Sequence, residues 1–242
     1  MHDETRAKVE EEIKNWNYLA ELPEVWHGFQ IDRRQQVVDD VYDFCSYNNA
    51  TAHRSITLYY HEETHEYKLR VKLGLVEFCR IEFITAKLPA FEELLRDQFE
   101  GLLLELSEYD PASLSSIVLE KGITTWEYTA SLPKNCEGFE LFVSPEHPTK
   151  VNNGSYVIIN YVDFVIESDF AIYYNVYRDE FFGEARIWNI PDVNYDFDAA
   201  DLTELIARLR EGMVPRLQEI RSRAEDEVTK RNRGENNGCL NQ

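Results

Sequence analysis

The feature that most constrains this chain is an internal duplication. The sequence WNYLAELPEVWHGF spans residues 16–29, and WEYTASLPKNCEGF spans residues 126–139, at an offset of 110. Half of the aligned positions are identical, and they include a proline and a Gly-Phe pair. A second block of identities starts at Tyr59 and Tyr173 and continues without gaps at an offset of 114. Self-similarity over this length predicts two copies of one structural unit.

Several segments in each copy show the two-residue alternation of β-strands. Trp-x-Tyr-x-Ala-x-Leu, at 16–22 and 126–132, is interpreted as a first strand that ends at the following proline. A hairpin is predicted at 55–73 and again at 170–188, and a further strand at 76–84. Between these blocks the copies diverge, and Asp43-Phe44 is aligned with Asp163-Phe164.

Helical patterns begin and end each copy. Residues 3–14 and 111–121 predict short opening helices, and apolar residues at helical spacing predict amphipathic helices from Leu88 to Leu106 and from Leu202 to Ile220. No helical pattern separates consecutive strands, which favours antiparallel sheets over a parallel α/β arrangement.

These patterns predict an α+β fold. It consists of two tandem copies of an antiparallel sheet, each with a short N-terminal helix and a closing amphipathic helix, packed as a pseudo-dimer within the chain. The first repeat is assigned to residues 1–110 and the second to 111–226. Residues 227–242 lack apolar periodicity and are predicted to be disordered.

The net charge of −20 limits the classes of partner. It is evenly spread, with 12 basic and 23 acidic residues up to Asp110 and 13 basic and 22 acidic residues after it. Such a chain repels nucleic acids and anionic membranes and attracts basic proteins. The N-terminus resembles no signal peptide, and no apolar run is long enough to span a bilayer, so we expect a cytoplasmic monomer or homodimer.

One motif points to metal chemistry. His61-Glu62-Glu63-Thr64-His65 matches H-E-x-x-H, which on a helix places two imidazoles and a carboxylate around zinc. Here the flanking residues are strand-like, so we expect His61 and His65 in or beside a hairpin turn without tightly held zinc. The four cysteines show no metal-binding spacing, and no cofactor is predicted.

Two pairs of adjacent tyrosines are the candidate binding residues. Neighbouring residues of a strand point to opposite faces, so one member of each pair should leave the core and be available for contacts. The candidates are Tyr59, Tyr60, Tyr173 and Tyr174.

The function that these features favour is a non-enzymatic acidic module that binds a basic protein, as an immunity-type inhibitor or a chaperone would. Two alternatives remain. One is a zinc-dependent hydrolase that uses the segment from His61 to His65, and the other is small-molecule binding in a cleft between the repeats.

Overall fold

The chain divides into two units after Ser113, three residues beyond the boundary predicted after residue 110. The computed structural model describes the backbone of residues 1–152 and 154–238, and the side chains of these residues up to 227. Each unit contains one antiparallel sheet of seven strands.

The first unit starts with two helices, continues with its sheet and ends with a long helix. Its elements are α1 (Asp3–Lys14), α2 (Tyr18–Glu21), β1 (Val25–Trp26), β2 (Phe29–Asp32), β3 (Gln36–Val38), β4 (Val41–Asn49), β5 (Arg54–His61), β6 (Glu66–Leu73), β7 (Val76–Cys79) and α3 (Leu88–Ser107). A short 3-10 helix, Ile81–Phe83, precedes α3.

The second unit repeats this order. Its elements are α4 (Ser116–Glu120), β8 (Asn135–Cys136), β9 (Phe139–Val143), β10 (Thr149–Asn152), β11 (Ser155–Asp163), β12 (Ser168–Asn175), β13 (Glu180–Ile187), β14 (Ile190–Val193) and α5 (Leu202–Gly238). Short 3-10 helices lie before β8, at Pro111–Ser113 at the end of the first unit and at Ile123–Thr125 and Glu127–Ser131 in the second.

Strand order confirms the duplication. The first sheet runs β1-β2-β4-β5-β6-β7 with β3 beside β4, and the second runs β8-β9-β11-β12-β13-β14 with β10 beside β11. All pairings are antiparallel. The predicted α+β class with two tandem antiparallel sheets is therefore confirmed, as are the two hairpins.

Equivalent contacts recur at the predicted offsets. The Tyr47 hydroxyl donates to the Pro23 carbonyl at 2.7 Å, and the Tyr161 hydroxyl donates to the Pro133 carbonyl at 2.8 Å. The turns before β2 and β9 both place a residue and a following glycine at positive φ, 81° for Gly28 and 84° for Gly138. A glycine adopts that conformation at little cost, which explains why Gly-Phe is retained in both copies.

Each closing helix covers one face of its own sheet. Phe91, Leu95, Phe99, Leu102, Leu103 and Leu106 of α3 are buried in the first core. Leu205, Leu209, Met213, Leu217 and Ile220 of α5 are buried in the second. The amphipathic pattern read from the sequence therefore identifies the core-facing side of both helices.

The predicted first strand of each copy is wrong. Tyr18–Glu21 forms a helical turn, and Glu127–Ser131 forms a 3-10 helix. Trp16 and Leu22 are buried as expected, but Ala20, which a strand would place on the same face, is exposed. Buried residues four apart, such as Tyr18 and Leu22, suit a helical turn as well as a strand, so the short pattern was ambiguous.

The strand predicted at 76–84 is shorter in the structure. It ends at Cys79, where buried Arg80 forms ion pairs with Glu82 at 2.8 Å and with Glu105 of α3 at 3.2 Å. These contacts turn the chain into the 3-10 helix before α3.

The alignment of Asp43 with Asp163 is also wrong. Asp43 is opposite Tyr59, whereas Val157 is opposite Tyr173, so Asp43 corresponds to Val157. The two Asp-Phe pairs are similar only in local sequence. The register of strand pairing, which determines which residues correspond, is different.

The C-terminal segment differs from the expected disorder. Helix α5 continues to Gly238, through most of residues 227–242, and residues 239–242 lie outside the described part of the chain. Glu, Lys and Arg have high helix propensity and extend a helix that buried turns have already nucleated.

Candidate functional site

The tyrosine pairs predicted to contact a partner are buried in the structure. Their exposed fractions are 8% for Tyr59, 7% for Tyr60, 4% for Tyr173 and 0% for Tyr174. The expectation that one member of each pair is exposed is therefore not met. Adjacent strand residues do face opposite sides, but neighbouring side chains bury the tyrosines on both sides.

Each of these tyrosines has a structural contact, and for Tyr59 it is the Cys79 thiol, 3.8 Å from the hydroxyl. Tyr60 packs edge-on against the ring of Tyr67, and the Tyr174 hydroxyl donates to Asp179 at 2.7 Å. Tyr173 stacks on Phe182 with the ring centroids 5.0 Å apart. Burial raises the pKa of Tyr173 and Tyr174, which keeps both hydroxyls protonated.

The H-E-x-x-H segment forms the turn between β5 and β6, as predicted. His61 is the last residue of β5, and the turn that follows ends with His65 at a φ of 55°. The Glu62 carboxylate accepts the backbone N–H of His2 at 2.9 Å. Burial opposes ionisation of Glu62, but hydrogen bonds from His2 and Thr5 lower its pKa to about 2. Glu62 thus anchors the start of α1.

The two histidines of the motif have different partners. His61 lies with Nε2 3.1 Å from Asp40 and Nδ1 3.0 Å from the Thr64 hydroxyl, while His65 lies 3.4 Å from the Tyr60 hydroxyl. This arrangement does not reproduce the helical zinc site. Ligand atoms of Asp40, His61 and Glu63 lie within 4.8 Å of one another, a set of two carboxylates and one imidazole that suits a divalent cation.

A different pair of tyrosines is exposed. Tyr177 is 78% exposed in the turn between β12 and β13, and Tyr195 is 77% exposed between β14 and α5. The Tyr177 ring lies over Gly154, where a Cβ atom would come within 2.4 Å of the ring. The absence of a side chain at Gly154 therefore leaves room for the Tyr177 ring.

Acidic groups accompany both exposed tyrosines. Phe181 and Ala199 form a backbone bridge that joins the start of β13 to the segment carrying Tyr195. Asp179 and Glu180 lie beside Tyr177 along the chain, and Asp196 and Asp198 follow Tyr195. We call this group the acidic tyrosine surface; it comprises Tyr177, Asp179, Glu180, Tyr195, Asp196 and Asp198.

The negative charge of this surface is only partly neutralised. Asp179 pairs with Lys121 at 2.5 Å, and Glu180 pairs with Arg178 at 3.2 Å. Within the described side chains, the carboxylates of Asp196 and Asp198 have no ion-pair partner. Burial raises the pKa of Asp198, and the nearby Glu180 carboxylate raises it further. The nearby Arg208 guanidinium opposes this rise in the pKa of Asp198.

Sequence reasoning missed this surface for a definable reason. The predicted contact residues were aromatic residues of strands, whereas Tyr177 in VYRDE and Tyr195 in NYDFD lie among acids in connections without alternation. A tyrosine in such a connection belongs to no alternating apolar pattern that would place it in the core. That signal was present in the sequence.

The thiols give no indication of nucleophilic catalysis. Burial raises the pKa of Cys45 to about 12 and also raises the pKa of Cys79 and Cys136. A reactive cysteine needs a lowered pKa that favours the thiolate. These three cysteines therefore behave as packing residues.

Comparisons with known proteins add no function. Among the described residues, none of the helices has both the length and the apolar composition that a membrane span requires. No protein family model, no curated protein and no solved structure matches this chain.

Proposed function

We propose that the chain is a non-enzymatic binding module whose acidic tyrosine surface contacts a basic protein. The observation that carries this proposal is the exposure of Tyr177 and Tyr195, more than three quarters each, together with the Asp196 and Asp198 carboxylates, which have no ion-pair partner among the described side chains. Tyrosine is enriched in protein interfaces because it combines a large apolar ring with a hydrogen-bonding hydroxyl. The roles that fit are an immunity-type inhibitor and a chaperone-like carrier of a basic protein.

The charge of the whole chain supports a basic partner. A net charge of −20 produces a long-range field that attracts cations and accelerates their encounter with the surface. Salt screens this field, since the Debye length falls from about 10 Å at 0.1 M to about 3 Å at 1 M. Association should therefore slow as salt rises, while the dissociation rate should depend more on the tyrosine contacts.

The test starts from partners captured by the full chain and identified by mass spectrometry. Binding of a purified captured protein is then measured for the wild type and for the Tyr177→Ser/Tyr195→Ser double variant. Val165→Ser is the matched control, because Val165 is 85% exposed in the same unit but lies in the turn between β11 and β12. Loss of interface tyrosines that act as hot spots should weaken affinity by roughly tenfold or more.

A second variant separates charge from contact. Asp196→Asn/Asp198→Asn should lower the association rate at low salt and reduce its salt dependence. Equal affinity of the wild type and the tyrosine double variant would overturn the assignment of this surface. An association rate indifferent to salt would overturn the basic character of the partner.

A further inference from the structure

A polar cavity lies on the face of the first sheet that α3 does not cover. It has a volume of about 550 Å³ and is lined by residues of β2 to β7 and of the connection between β2 and β3. Alternation on β5 and β6 places Ile56, Leu58, Leu69 and Val71 in the core beneath α3. Ser55, Thr57, Arg70 and Lys72 therefore point to the opposite face, into the cavity.

Strand register arranges these side chains in rows. Ser46, Thr57, Arg70 and Cys79 are successive partners across β4, β5, β6 and β7. The next row consists of Asn48, Ser55, Lys72 and Glu77. Cross-strand neighbours have Cβ atoms roughly 5 Å apart, so each row presents adjacent polar groups to one small molecule.

Arg70 is held by groups of the protein itself. Its guanidinium lies 3.3 Å from the Asp43 carboxylate and 3.6 Å from Glu77, and 5.2 Å from the centroid of the Tyr59 ring. Gln36 donates a further hydrogen bond to Asp43 at 3.0 Å. The charge of Arg70 is therefore compensated internally.

Lys72 differs from Arg70. Glu77, its cross-strand partner, directs its carboxylate to Arg70, and Lys72 has no ion pair with any described residue. On its other side, Lys72 is opposite the uncharged Ser55. Lys72 is thus a half-buried cation in the cavity without a counter-ion.

The second unit shows how the same position is neutralised. At the offset of 114, Arg186 corresponds to Lys72 and Asp169 corresponds to Ser55. Asp169 and Arg186 are cross-strand partners and form an ion pair at 3.0 Å, and Asp169 is completely buried. The first unit therefore keeps the cation of this pair and replaces its acid by a hydroxyl.

We propose that this cavity binds a small polar molecule through an oxyanion, a carboxylate or a phosphate, that occupies the position of the missing acid. Lys72 supplies the charge, and the Ser55 hydroxyl, opposite it on β5, supplies a hydrogen bond to the same group. Arg34 is 89% exposed at the rim and is paired with Asp32, so its charge, like that of Arg70, is compensated within the protein. This site lies within the first unit and does not depend on the acidic tyrosine surface.

The experiment titrates the full-length protein with potassium phosphate and, separately, with sodium acetate, while backbone amide signals are followed by NMR. Sodium chloride at matched ionic strength is the control for general salt effects. Saturable shifts are expected at the amides of residues 55, 57 and 72. Saturation by phosphate but not acetate identifies a phosphate ligand, and the reverse identifies a carboxylate; both outcomes support the oxyanion site.

Three variants make the assignment specific. Lys72→Met should weaken binding by roughly tenfold or more, because a charged hydrogen-bonding partner is lost. Ser55→Asp should also abolish binding while the fold is retained, because it recreates the internal pair that the second unit carries. Lys8→Met, at an exposed position of α1, should leave binding unchanged.

Two results would overturn the proposal. One is the absence of saturable shifts in the wild type with both anions. The other is equal binding by the wild type and a folded Ser55→Asp variant, since the restored acid would then not compete with the ligand.

Discussion

Substitution by alanine should lower the stability of the protein at Gly183 of β13 and raise it at Gly101 of α3. A Cβ atom at Gly183 would lie 2.8 Å from the Cβ of Phe197. Phe197 has little freedom to move, because a Cβ at Gly212 would lie 3.2 Å from its ring and Phe170 packs against it with the centroids 4.7 Å apart. Gly183→Ala therefore forces strain into a buried cluster.

The expected magnitude follows from two opposing effects. Overpacking of a core costs about 1–3 kcal/mol, and alanine recovers about 0.4–1 kcal/mol by restricting the unfolded chain. Gly183→Ala should therefore destabilise the second unit by about 1–2 kcal/mol. A Cβ at Gly101 meets no atom within 4 Å on exposed helix surface, so Gly101→Ala should stabilise the first unit by about 0.5–1 kcal/mol.

The assay is hydrogen exchange in increasing denaturant, resolved by peptide with mass spectrometry. Peptides from α3 and β5 report the first unit, and peptides from β12 and α5 report the second. Separate reporting matters because a chain with two units need not unfold in one transition. The packing argument would be refuted by a Gly183→Ala variant whose second unit is as stable as in the wild type. It would also be refuted by a Gly101→Ala variant whose first unit is less stable.

Three further predictions concern the repeats and the β5–β6 turn. Tyr47→Phe and Tyr161→Phe should each destabilise their own unit by about 1 kcal/mol in the same assay, because each removes one buried hydrogen bond; a loss in only one unit would contradict their equivalence. Because the folded pKa of Glu62, about 2, lies below its usual 4.5, the anchoring of α1 should be complete above pH 4.5 and lost as pH falls towards 2. Exchange of the α1 amides measures this loss, and it should be absent in Glu62→Gln, whose α1 is already released. Elemental analysis of the purified protein should find less than one zinc per chain; stoichiometric zinc that disappears in His61→Ala would show that the turn binds metal despite its shape.

The duplication, the fold class and the cores could be predicted because they depend on repeated local patterns. Alternation over eight residues in β5 and β6 distinguishes strand from helix, and the apolar stripe of α3 extends over several turns. The segment from Trp16 to Leu22 is too short for that distinction. The burial of Trp16, Tyr18 and Leu22 was predicted correctly, whereas the burial of Ala20 and the strand conformation were not.

The candidate sites depend more strongly on partners distant in sequence. Glu62 in the H-E-x-x-H segment binds His2, 60 residues away, and the neighbours of His61 include Asp40 from another turn. The spacing of residues within the motif does not reveal these distant partners. The tyrosine pairs are buried where exposure was expected, because alternation gives the direction of a side chain but not what covers the face to which it points.

The sequence by itself determined that the chain folds as two related α+β units with antiparallel sheets, since periodicity and identity at fixed offsets are local properties of the chain. Only the tertiary structure decided which polar groups are neutralised, because ion pairs form across strands whose register the sequence does not state. The contrast between Lys72 opposite Ser55 and Arg186 opposite Asp169 becomes visible only when β5 pairs with β6 and β12 with β13. The exposure of Tyr177 likewise depends on how its turn packs over Gly154.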